Sequence, residues 1–159
     1  MANLDDLDKA LLQLLNQDAR LPSSQIARQL GQPARTIQNR IQRMVDLGVI
    51  RLIGVVNPAH FGYSLTVDIF CELEVGAQEG VVREIMEMPD VTYIAISTGD
   101  ADLNLQAIFK NSTEMHEFIT HKLHQVPGIR HTHTVLIPQI FKVSYQWLPP
   151  SEAFASHSD

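Results

Sequence analysis

Residues 22–48 read Pro22-Ser23-Ser24-Gln25-Ile26-Ala27-Arg28-Gln29-Leu30-Gly31-Gln32-Pro33-Ala34-Arg35-Thr36-Ile37-Gln38-Asn39-Arg40-Ile41-Gln42-Arg43-Met44-Val45-Asp46-Leu47-Gly48. The stretch predicts two short helices around a sharp corner. Pro22-Ser23-Ser24 breaks the preceding chain and supplies a cap. Ile26, Ala27 and Leu30 face inward, and Gly31 ends the helix because glycine accepts the left-handed turn such a corner needs. Pro33 opens the next helix at its first position, where a missing N–H costs nothing. Ile37, Ile41, Met44 and Val45 form the buried stripe, and Gly48 stops the helix. Upstream, Leu4, Leu7, Leu11, Leu14 and Leu15 recur at helical spacing from about Asp5 to Asn16, with Asp5, Asp6 and Asp8 at the positive end of the helix dipole. Downstream, Val49 to Val56 reads as a strand. The layout is that of a helix-turn-helix.

Charge sharpens the reading. Arg20, Arg28, Arg35, Arg40, Arg43 and Arg51 are opposed only by Asp46, so residues 20–51 carry +5 in a chain of net −6. A basic island on an acidic protein points to a polyanion. Arg35, Thr36, Gln38, Asn39, Gln42 and Arg43 lie mainly off the buried stripe of the third helix. Arg40 lies beside that stripe, free to point either way. Arginine pairs with guanine through two hydrogen bonds, and glutamine or asparagine does the same for adenine. Arg28 and Arg51 are better placed for phosphates, which add affinity without sequence choice. The expected partner is double-stranded DNA. A solvated helix face is the plainer alternative, but such faces are usually of mixed sign, and this one is rich in arginine and amide with almost no acid.

The rest of the chain predicts a second domain. Leu65, Val67, Ile69, Cys71, Leu73 and Val75 alternate with polar residues in a strand. Val81, Val82, Ile85 and Met86 follow at helical spacing. Val91–Thr98 and Leu103–Phe109 are strands around the turn Gly99-Asp100-Ala101-Asp102. Met115, Phe118, Ile119, Leu123 and Val126 form a second helical stripe, ended by Pro127-Gly128. An extended segment from Ile129 to about Tyr145 closes the pattern, with Pro138 at an edge or bulge. The order strand–helix–strand–strand–helix–strand is that of a ferredoxin-like α+β sandwich. Its open face, expected to carry Phe70, Ile94, Ile96 and Ile108, predicts a homodimer made sheet to sheet. The domains are therefore 1–50 (helix-turn-helix), 51–63 (linker strand and hinge, with Asn57-Pro58 and Phe61-Gly62) and 64–148 (ferredoxin-like). A loose tail, 149–159, has little to bury.

The pieces together resemble the Lrp/AsnC (leucine-responsive/asparagine regulator, feast/famine) transcription factors. The likeness runs from about Leu4 to Leu148. It rests on the Leu4-Asp5-Asp6-Leu7-Asp8 opening, the Gln25-to-Arg43 helix-turn-helix, Leu47-Gly48-Val49-Ile50, the Gly99-Asp100 turn and the Val126-Pro127-Gly128-Ile129 corner. It implies a winged helix-turn-helix domain and a ligand-sensing domain. It also implies dimers that assemble further, often into octamers, and a small molecule, commonly an amino acid, bound between dimers near Gly99–Asp102. Ala101 stands where the family often has an aromatic residue, and Asn104 after Leu103 also departs, making the site smaller and more polar. At such a site Asp100 or Asp102 suits an ammonium, while the Ser97 and Thr98 hydroxyls and the Gly99 amide suit a carboxylate.

Other chemistries find less support. Cys71 is the only cysteine, so the chain forms no internal disulfide and no cysteine-based zinc finger; it is expected as a small buried apolar residue. His131 and His133 share a strand face that suits a metal, whereas His116, His121 and His124 fall on or near the solvated side of a helix; no metal and no cofactor is expected. No nucleophile triad or phosphate-cradling glycine loop has a recognisable context. The sirohaem decarboxylases resemble this family in both domains, but Val91–Thr98 carries neither the histidine nor the arginine expected to hold a tetrapyrrole's carboxylates, and an acidic turn follows. A regulator is expected rather than an enzyme, or than an interaction module with a decayed DNA-binding domain. No apolar run approaches the roughly 18 residues of a membrane span, and no signal peptide opens the chain, so the expected location is cytoplasmic.

Overall fold

The computed structural model describes residues 3–142 and 147–154. The chain divides into two compact units, Met1–Val55 with Lys142–Asp159, and Val56–Phe141.

The first unit contains α1 (Asp6–Gln17), α2 (Ser23–Leu30) and α3 (Ala34–Asp46). Asp5 caps α1 by accepting from the Asp8 amide at 2.9 Å, and the Asp8 carboxylate accepts in return from the Asp5 amide at 3.2 Å. This reciprocal capping box explains why acids crowd that turn. Pro22 is the residue before α2, and no side chain caps this helix, contrary to the expectation for Ser23-Ser24. Gly31 ends α2 with φ 62°, the left-handed conformation that sets the corner. Pro33 sits one residue before the first turn of α3. Leu11, Leu12, Leu15, Ile26, Ala27, Ile37 and Met44 make the core, with Ile41 at its margin. Val45, expected in the stripe, is 37% exposed, because its angular position has rotated past the contact with α1 and α2.

Two further expectations change here. Val49–Val56 forms no strand: residues 50–57 lack regular structure, and Leu52, Ile53, Val55 and Val56 are exposed. Its β-branched composition suits a strand, but a strand exists only with a partner to take its N–H and C=O groups. The described part of the tail is not loose. Phe154 is buried in the core of the helices, Leu148 packs beside it, and the Lys9 ammonium lies 5.8 Å from the Phe154 ring centroid. A large apolar ring overrides the polar, proline-rich composition around it.

The second unit is a four-stranded antiparallel sheet of order β2-β3-β1-β4 with two helices on one face. In chain order these are β1 (Leu65–Leu73), α4 (Gln78–Met86), β2 (Val91–Ile96), β3 (Leu103–Phe109), α5 (Ser112–His121) and β4 (Ile129–Ile137). This is the ferredoxin-like arrangement. Val67, Ile69, Cys71 and Leu73 of β1 and Leu103, Leu105, Ala107 and Phe109 of β3 meet Val81, Ile85, Phe118 and Leu123. At Gly128 (φ 98°) an added Cβ would lie 2.3 Å from the Ala77 Cβ, so only glycine fits the corner where β4 begins. β1 stops at Leu73, leaving Val75 in solvent, and β4 stops before Pro138. The part of the expected extension at residues 143–145 lies outside the described residues.

The open sheet face differs from expectation at two positions. A register shift between Val91 and Tyr93 places Ile94 opposite Leu105 and Ile96 opposite Leu103, on the helix side. Ile94 packs into the core. Tyr93 and Ala95 take their place on the open face, opposite Gln106 and Asn104. That face is graded along the strands. At one end Thr66 lies between Ile108 and Ile137, and Asp68 between Gln106 and Val135. At the other, Phe70 lies beside His133 and Glu72 beside His131.

Candidate DNA-binding surface and effector cavity

α3 presents Arg35, Gln38, Asn39 and Gln42 in one stripe, at spacings of three, four and seven residues. Arg35, Gln38 and Asn39 are exposed, and Thr36 is half-buried beside them. The buried Ile37 and Met44 hold the opposite side in the core, so the helix cannot rotate to hide the stripe. Arg28 on α2 and Arg51 after α3 are exposed. Among the described residues, none of Arg28, Arg35 and Arg51 makes an ion pair.

Arg40 and Arg43 behave differently. Arg40 Nη1 is bonded to Asp5 Oδ2 and lies 3.1 Å from Asp8 Oδ2. Arg43 Nη2 donates to the Asn3 carbonyl at 2.7 Å and lies 3.4 Å from Asp8 Oδ2. Asp8 is fully buried, so its charge requires compensation, and the two guanidiniums provide it. The hydrogen bond from Arg40 to Asp5, followed by the contact with Asp8, raises the arginine's pKa further. The expected DNA contact from Arg40 is therefore replaced by a tie between α3 and the first turn of α1, and Arg43 is partly committed to the same tie. Helical phase alone does not reveal this, because a long side chain beside the stripe reaches either way. A basic helix whose only acid is its last residue, Asp46, facing the acidic first turn of α1, was the available signal.

A second site lies in the other unit. A cavity of about 520 Å³ is lined by Ser97, Thr98, Asp100 and Ala101 on one side and by Phe70, Glu72, His131 and His133 on the other. The turn is held from within. Ser97 Oγ donates to the Ala101 carbonyl at 3.0 Å, and the Ser97 amide donates to the Asp102 carbonyl at 3.0 Å. Asp102 does not line the cavity. Its Oδ2 accepts from the Leu73 amide at 2.7 Å, and its amide donates to the Cys71 carbonyl at 3.0 Å, extending the β1–β3 ladder by one residue. Gly99 (φ 138°) shapes the turn without lining the cavity. Both acids are exposed, but of the two only Asp100 lines the cavity, and among the described residues it has no ion pair.

The sheet-side residues were not in the expected site. Period-two alternation already placed Phe70 and Glu72 on the open face and His131 and His133 on one side of β4; only strand register reveals that these pairs are neighbours. The Phe70 and His133 rings stand 6.5 Å apart, inclined at 34°. Glu72 Oε2 accepts from Arg130 Nη2 at 2.9 Å. His116 and His121 are exposed, and His124 Nε2 lies 2.8 Å from Thr132 Oγ1. Among the described residues, no group of three or more His, Cys, Asp or Glu side chains is arranged to hold a metal ion. No described helix is long and apolar enough to cross a membrane.

Comparison with known proteins finds a match for each part of the chain. Residues 4–45 match the AsnC-type helix-turn-helix domain, and residues 66–147 match the Lrp/AsnC ligand binding domain. An uncharacterised HTH-type transcriptional regulator of Pyrococcus horikoshii is 34% identical over 143 residues, covering 89% of this chain and 90% of its own. The structure of a Neisseria meningitidis transcriptional regulator in complex with L-Met superposes with a TM-score of 0.87 at 20% identity, over 96% of this chain and 100% of that one. AsnC of E. coli superposes with a TM-score of 0.84 at 21% identity, over 90% and 97% of the two chains.

Proposed function

The chain belongs to the Lrp/AsnC family of transcriptional regulators, and from that premise we propose how its own residues divide the work. Arg35, Gln38 and Asn39, with Thr36 beside them, read base edges from the major groove, while Arg28 and Arg51 hold phosphates. Arg40 and Arg43 set the angle of α3 against α1. The observation that carries this reading is the exposed Arg35-Gln38-Asn39 stripe, locked outward by the buried Ile37 and Met44.

The working form is a homodimer joined through the apolar end of the open sheet face, around Ile108, Tyr93, Val135 and Ile137. Its two recognition helices enter successive major grooves about 34–36 Å apart, or a multiple of that distance. An amino acid at the Asp100 turn, its ammonium on that carboxylate and its own carboxylate at the Thr98 hydroxyl, the Ser97 hydroxyl being spent on the Ala101 carbonyl, shifts how dimers stack into octamers or other assemblies. The L-Met bound to the Neisseria regulator supports this class of effector. The energy of the shift equals the ligand's difference in affinity between assemblies. Such a regulator acts in the cytoplasm, where its DNA is.

A mobility-shift assay with DNA upstream of the chain's own gene tests the DNA half. Retarded complexes that resist non-specific competitor are expected, and their absence would remove the regulator mechanism. A thermal-shift screen of the twenty amino acids tests the effector half, since ligand binding raises the melting temperature by mass action.

A further inference from the structure

Resting on the reading of the Asp100 turn as the effector site, we infer that its ligand is an aromatic α-amino acid. The cavity joins two kinds of surface. The turn offers the Asp100 carboxylate and the Thr98 hydroxyl, which suit the backbone end of an amino acid. The sheet offers rings: Phe70 and His133 are register partners with centroids 6.5 Å apart, and His131 lines the same wall. Ring pairs favour offset or inclined contacts at about 4.5–7 Å, so a ligand ring lying on this wall can meet Phe70 and His133 together.

The charges count against the main rival. A basic amino acid carries two cations and needs two carboxylates. Glu72 and Asp100 both line the cavity, but Glu72 already accepts from Arg130 at 2.9 Å. Asp100 alone is unspent, and the α-ammonium takes it. An aliphatic side chain fits the volume of about 520 Å³ but makes no ring–ring contact. Aromatic pairing beyond simple burial corresponds to roughly a two- to tenfold gain in affinity.

Isothermal titration of the full-length protein with L-Phe, L-Tyr, L-Trp, L-Leu, L-Met and L-Lys decides the matter, repeated on Asp100→Asn, Phe70→Leu and His133→Gln with melting temperatures as the control for folding. The aromatic ligands should bind several-fold tighter than L-Leu, L-Met and L-Lys. Phe70→Leu should erase that preference while leaving aliphatic binding in place; should this variant melt markedly lower, His133→Gln takes over its role. Asp100→Asn should weaken every ligand. Tighter binding of L-Leu, L-Met or L-Lys that still depends on Asp100 overturns the aromatic class and leaves the turn reading intact. An aromatic preference unchanged in both ring variants also overturns it. Binding that ignores Asp100→Asn, or no binding by any of the six, removes the turn reading and this inference with it.

Discussion

Asp8 shows how a single residue serves three ends. Its carboxylate completes the capping box of α1, sits fully buried in the helical core, and holds Arg40 and Arg43 of α3. One of its oxygens, Oδ1, has no hydrogen-bond partner among the described residues, and Oδ2 carries the contacts with the Asp5 amide and both guanidiniums. Asp8→Asn should therefore destabilise the helical unit by roughly 1–3 kcal/mol, read as a lower urea midpoint, because two guanidiniums lose their common anion. Arg43→Ala should lower both stability and DNA affinity, whereas Arg35→Ala should lower affinity alone. Cys71 makes a separate point in the sheet. Burial pushes its thiol from an ordinary 9.0 up to about 11. The folded state thus keeps a proton that the unfolded chain releases, so stability is intact below pH 9 and falls as pH rises toward about 11. Urea midpoints measured across that window should fall more steeply for the wild type than for Cys71→Ala. The burial of Cys71 was legible from alternation alone. The commitment of Arg40 was not, because periodicity gives an angle around a helix and not the position of an acid on another helix.

At the level of elements, most of the architecture was readable. Helical spacing marked α1 to α5, and period-two alternation marked β1 and β3, because each buries one face against a single layer. What failed depended on partners. Val49–Val56 has strand composition but, among the described residues, pairs with no strand. Ile94 and Ile96 face the helix side rather than the open face because a register irregularity after Val91 breaks strict alternation, and one residue of slip reverses every side chain. The described tail departs from its composition because a single phenylalanine, distant in sequence from the core it enters, leaves no periodic trace. Phe154→Ala should cost the helical unit roughly 3 kcal/mol, measured by chemical denaturation. The ferredoxin-like unit, whose core does not include this ring, should be unaffected.

For the whole molecule, charge sets the terms of DNA binding. Outside the basic island the chain is strongly acidic, so affinity must come from the few cations on the reading side rather than from a general positive field. Arg28 and Arg51 in each protomer of a dimer correspond to four phosphates. The logarithm of affinity should then fall with the logarithm of salt at a slope of about −3 to −4. Arg28→Ala should flatten that slope by about two in the dimer, with little change in sequence preference. The central claim is that the outward stripe of α3 reads bases. Fluorescence anisotropy with the target duplex and a scrambled duplex, at one salt concentration, tests it most directly by comparing the wild type with Arg35→Ala and Gln38→Ala. The account predicts roughly a ten- to hundredfold loss on the target, little change on the scrambled duplex and unaltered melting temperatures. Full target affinity and full discrimination in both variants would contradict it.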